Sequence, residues 1–173
     1  MKKHNLDLKY NRYSEQELKN NIHLFDLNDW DNVSEHQSLS KIFIRKHSDK
    51  LCWGCISYFQ ELSEKLIEKY SEKVNWHSIS SEQKLSEDFI EKYSDKVDWI
   101  NISYCQKLSE EFIEKYSDKV DWYSISASQK LSEEFIKKYI NKINIGFLME
   151  NPNISEKLKK KIKKEIKLLK EII

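Results

Sequence analysis

Apolar and polar residues follow one another along this chain in a pattern that returns every 23 positions. Residues 85–107 show it most clearly, and residues 108–130 repeat them almost letter for letter. With Leu85 as position 1, the apolar residues Phe89, Ile90, Tyr93 and Val97 stand at positions 5, 6, 9 and 13, with Glu and Lys between them. That spacing predicts a helix over positions 3–12 with one buried stripe and a solvated charged face. Ser86 at position 2, followed by acidic residues, is placed to cap its amino end, and Leu85 and Ile90 have the spacing of a hydrophobic staple. Asp98 at position 14 is a second capping residue. Trp99, Ile102 and Gln106 follow it at offsets of three and seven, one face of a second, shorter helix.

Full repeats begin at Leu39, Leu62, Leu85, Leu108 and Leu131, and a further start appears at Ile154. Trp30, Trp53, Trp76, Trp99 and Trp122 keep the same 23-residue spacing. A helix pair this short cannot bury its own apolar face, and stacked copies bury it for one another. The expected fold is all-α, an α-solenoid of helix-turn-helix repeats, forming a single domain over 1–173. Within it, 1–38 serve as an amino-terminal cap with a degenerate first repeat, 39–153 hold five helix pairs, and 154–173 form a longer lysine-rich capping helix. The tryptophans are expected to fill the seams between repeats, because position 15 changes only to another apolar residue, Ile145. In the last helix Ile154, Leu158, Ile162, Ile166, Leu169 and Ile173 make an apolar stripe, into which Glu165 falls without an evident reason.

Charge narrows the function classes. The chain has 30 basic and 29 acidic residues, a near balance that argues against a DNA mimic and against a wholly basic nucleic-acid binder. Eight lysines and three glutamates give residues 154–173 a charge of +5, leaving −4 for the rest. Two glycines and one proline leave few places for a phosphate-cradling loop. Three cysteines suit a reducing compartment, and no apolar run resembles a signal peptide or membrane span, so a cytoplasmic protein without membrane attachment is expected.

The repeat also bears on chemistry. Catalysis needs unlike groups converging on one point, whereas a repeat copies the same Ser, Glu and Asp along a surface. No enzyme activity, cofactor or metal is expected. Cys52-Trp-Gly-Cys55 is the one conventional motif, with His47, His77 or Cys105 as conceivable further ligands, yet no second Cys pair completes a zinc set. Positions 16, 17, 20 and 21 vary freely while their neighbours hold, and such positions commonly form the binding surface of repeat proteins. Tyr58, Phe59, His77, Glu82, Ile100, Asn101, Tyr104 and Tyr123 are therefore the candidate partner-binding residues. The alternative is RNA or DNA binding through Lys157, Lys160, Lys161, Lys164 and Lys167 of the last helix.

The consensus Leu-Ser-Glu-x-Phe-Ile-x-Lys-Tyr-x-Asp-Lys-Val-x-Trp-x-x-Ile-Ser-x-x-Gln-Lys resembles short helical repeats in proteins of bacteriophages, giant viruses and low-GC bacteria. The resemblance covers roughly residues 39–153. It implies a helical-repeat fold and a viral or mobile-element origin, and carries no functional residue over. With no enzyme motif, such an origin implies binding to another protein, as an inhibitor of a host defence factor acting in the host cytoplasm.

Overall fold

The computed structural model describes the backbone of residues 4–171 and the side chains of residues 4–165. Among the described residues there are thirteen α-helices, one 3-10 turn and no strand, with helix pairs repeated in register. The chain is an α-solenoid of helix-pair repeats, and its packing divides it into two compact units, Met1–Leu85 and Ser86–Ile173.

The first unit holds α1 (Glu15–Asn21), α2 (Leu27–His36), α3 (Lys41–Lys46), α4 (Trp53–Phe59), α5 (Glu64–Lys69) and α6 (Trp76–Glu82). In it the second helices of successive repeats, α2, α4 and α6, pack side by side. The second unit holds α7 (Glu87–Lys92), α8 (Trp99–Cys105), α9 (Glu110–Lys115), α10 (Trp122–Ser128), α11 (Glu133–Lys138), α12 (Ile145–Glu150) and α13 (Glu156–Glu171). There α8, α10 and α12 make the corresponding row.

The caps lie where the spacing places them. Ser86, Ser109 and Ser132 accept the amides of Phe89, Phe112 and Phe135, and Asp98 and Asp121 do the same for the first turns of α8 and α10. The first helices are shorter than expected. They end at position 8, and positions 9–12 continue as hydrogen-bonded turns, such as Lys119 N–H to the Tyr116 carbonyl. This tightening gives the carbonyl of position 10 a new donor: Trp99 Nε1 donates to Ser94 O and Trp122 Nε1 to Ser117 O, both over 3.0 Å.

The indoles of Trp30, Trp53, Trp99 and Trp122 also meet rings of the following repeat, as the seam reading expects. Trp53 lies 4.5 Å from Tyr70, and Trp122 lies 5.1 Å from Tyr139 and 6.4 Å from Phe135. Between the rings and the caps, the isoleucines at positions 6 and 18 are fully buried, among them Ile67, Ile79, Ile113 and Ile125.

Polar side chains tie repeat to repeat inside this core. Gln60 Nε2 donates to the carbonyls of Ser34 and Gln37, while its Oε1 accepts the Leu39 amide. Gln83 and Gln129 make the same three bonds one and three repeats on. The serine at position 19 adds another link: Ser57 Oγ donates to Trp53 O and accepts the Asn75 amide, and Ser126 Oγ likewise joins Trp122 O to Asn144 N–H.

The ends improvise on this scheme. Residues before α1 stand in for a preceding repeat, since Gln37 Nε2 donates to Leu8 O and Asn11 O. At the other end Asn151, one position early and one carbon shorter, reaches Ser126 O and Gln129 O as a glutamine would. Ile154 and Ile162 of the closing segment are buried, so α13 covers the last repeat. Glu165 has a role that the apolar stripe alone does not suggest, because it lies 3.1 Å from Lys137 of α11. The stripe residues Ile166, Leu169 and Ile173 lie outside the described side chains.

Candidate functional site

Charge is unevenly divided between the first and second helices of the later repeats. α4, α8 and α10 contain no charged residue at all, and α12 contains only Glu150. Lys, Arg, Asp and Glu make up 34% of the whole chain, so three neutral second helices, one in the first unit and two in the second, are a departure from its general character. The charges are concentrated on the first helices, and there they are used. Glu87 accepts the Ser109 amide and hydroxyl, and Glu110 does the same for Ser132. Lys115 lies 2.5 Å from Glu91, and Lys138 pairs with Glu114 in the next repeat. These hydrogen bonds lower the pKa of Glu91 and Glu114 and raise those of Lys115 and Lys138. Such exposed pairs steer register more than they stabilise.

The neutral second helices α4, α8 and α10 present uncharged, mostly apolar tips. Tyr58 and Phe59 on α4 are about half exposed and touch edge to face at 4.7 Å. In the second unit Ile100 and Tyr104 stand one turn apart on α8 and are 63% and 59% exposed. Tyr123 on α10, 61% exposed, meets Phe147 of α12 edge to face at 6.0 Å. His77 and Glu82 are exposed on α6. Seven of the eight candidate residues thus reach solvent freely.

Asn101 does not, and position 17 as a whole is turned inward. Asn101 and Cys55 are half-buried, and Ser78 and Ser124 are buried. The amide of position 17 is the one the capping side chain accepts: Asn101 N–H donates to Asp98 Oδ1 and Ser124 N–H to Asp121 Oδ2. Phe147, at the same position in the degenerate last repeat, is the exception and joins the exposed row. Its signal in the sequence was a large aromatic where other repeats carry Cys, Ser or Asn.

The two neighbouring cysteines have a structural place. Cys52 caps α4, accepting the Cys55 amide at 3.3 Å, as Asn75, Asn144 and the aspartates cap the other second helices. Burial, and then the hydrogen bond of its thiol to Cys52, push Cys55 up to about 12, so it stays protonated at neutral pH. Among the described residues no three His, Cys, Asp or Glu come together in a way that would hold a metal ion.

On α13, Lys157, Lys160, Lys161 and Lys164 are exposed. Lys161 is engaged, 2.7 Å from Glu133 of α11, and Glu165 and Glu156 interrupt the basic face. Lys167 lies outside the described side chains. No helix among the described residues is long and apolar enough to cross a membrane. Compared with protein-family models, curated proteins and solved structures, the chain finds no match.

Proposed function

We propose that this solenoid works by binding another protein through the uncharged tips of its second helices, without catalysis of its own. One observation carries the reading: α4, α8 and α10 bear no charge in a chain one-third charged, and they hold Tyr58, Phe59, Ile100, Tyr104 and Tyr123 out to solvent. Depletion of charge with enrichment of aromatics marks the core of a protein interface, where a few rigid rings supply most of the affinity. A phosphate-binding surface would need the opposite composition. The resemblance to phage and viral repeat proteins supports a host factor as the partner and its occlusion as the outcome.

The test is capture from a nuclease-treated lysate by the chain and by a Tyr58→Ser, Phe59→Ser, Tyr104→Ser, Tyr123→Ser variant. The variant loses the partner while melting as the parent does, because these side chains support no core contact. A partner held equally by both proteins contradicts the reading.

A further inference from the structure

In the second unit a groove of about 890 Å³ runs along the turns that lead from α8 into α9 and from α10 into α11. Buried Leu108 and Leu131 form its floor, and Tyr104 stands at its edge. Lys107 and Lys130, the same repeat position one copy apart, line it as well. Among the described residues neither ammonium has a hydrogen bond, ion pair or ring contact, and neither backbone amide donates to anything. Other lysines of these repeats are engaged: Lys115 with Glu91, Lys138 with Glu114, Lys119 over Trp99 and Lys142 over Trp122. On the α9 side Glu110 is held by Ser132, which leaves Glu111 as the free carboxylate of the lining.

We infer that this groove takes an extended segment of a partner protein that carries an acidic residue at every third position. The inference rests on the protein-binding reading and names the chemistry of the segment that adjoins the aromatic tips. Copies of a helix pair stack about 10 Å apart, so Lys107 and Lys130 recur at that interval. A polyproline-type segment turns once in three residues and rises about 3.1 Å per residue, returning the same face every ~9.3 Å. Carboxylates at i and i+3 then meet the two ammoniums, apolar residues between them cover Leu108 and Leu131, and the free amides of Lys107 and Lys130 serve the segment's carbonyls. In the first unit the two corresponding positions are Glu61 and Lys84, with Glu82 beside them, so a carboxylate replaces one ammonium of the pair.

That contrast supplies a well-tolerated variant, because Lys107→Glu, Lys130→Glu installs what the fold already accepts at Glu61. Peptides of twelve residues selected from a random display library on the full chain are expected to share Asp or Glu at i and i+3. Charge reversal should weaken a selected synthetic peptide about tenfold, the sum of two exposed ion pairs lost, and Lys in place of its acids should restore binding to the variant. Selected peptides without that spacing, or equally bound by the variant, overturn the inference. If such peptides are instead lost on Tyr104→Ser, Tyr123→Ser, the groove is wrong and the aromatic reading stands. No enrichment over the bare support also overturns the groove and leaves the aromatic tips to be judged by partner capture.

Discussion

Gln129 Nε2 lies 2.7 Å from the main-chain carbonyl of Gln106, one repeat earlier, and the Gln129 carbonyl in turn accepts from Asn151 one repeat later. Glutamine at position 22 is thus both rung and rail. Each side chain closes three backbone groups that the ends of short helices leave open, and it does so inside the core, where water cannot substitute.

Replacing Gln60 by Leu keeps the volume and removes the bonds. The carbonyls of Ser34 and Gln37 and the amide of Leu39 are then left open, and the expected loss is about 3 kcal/mol in urea unfolding. Gln60→Asn should lose nearly as much, because Asn151 serves only by sitting one position early. A loss under ~0.5 kcal/mol would show that the ladder is ornamental to stability.

His47 occupies the position that tyrosine holds in the later repeats, and its Nε2 is buried without a hydrogen-bond partner among the described residues. Burial first, then Lys46, Lys50 and Lys19, lower its pKa from 6.5, against a smaller opposite pull from Asp49. The unfolded chain therefore binds this proton more readily than the folded one. Its contribution to stability is present above about pH 6.5 and is lost as pH falls through the lowered folded-state value. Melting curves at pH 7.5 and 5.5 should show this loss, and His47→Tyr should shrink it; an unchanged slope would refute the assignment.

Cys52 caps α4 where Asn or Asp caps the equivalent helices. Sulfur is the weaker acceptor, so Cys52→Asn should stabilise the chain by about 0.5–1 kcal/mol. At pH 7.5 a thiol reagent should react quickly with exposed Cys105 and leave Cys55 unmodified until the protein unfolds. Fast labelling of Cys55 in the folded protein would contradict its protonated, half-buried state.

The closing helix offers a comparison between pairing and packing. Glu165→Ala removes an exposed ion pair with Lys137 and should cost under ~0.5 kcal/mol. Ile162→Ala removes buried methyl groups and should cost about 2–4 kcal/mol. The reverse order would mean that α13 is held by charge and not by its apolar face.

Much of this architecture was legible because its signals are local. Ser86 and Asp98 announce caps within four residues, and Phe89, Ile90 and Val97 announce a face. What was not legible depends on contacts 18 to 26 residues apart, such as Ser57 Oγ with the Asn75 amide or Gln83 with the Ser57 carbonyl. An invariant glutamine on a buried face was the trace of those bonds. The early end of the first helices follows from the indole of Trp99 taking the Ser94 carbonyl, again a partner chosen by folding. At the candidate site, variability singled out Tyr58, Tyr104 and Tyr123, which are exposed, and also Asn101, which is half-buried, because a position can vary freely where its main-chain amide completes the cap whatever side chain it carries. Lys107 and Lys130 were passed over because their repeat position also carries Glu61 and Asn153, and only the geometry shows that, among the described residues, these two lysines are left without partners.

The central claim, that a protein partner binds the uncharged second helices, is tested most directly by the hydrogen-exchange footprint of the captured complex. The account predicts slowed exchange in α4, α8 and α10, with α13 exchanging as in the free chain. Protection confined to α13 or to the charged first helices would contradict it.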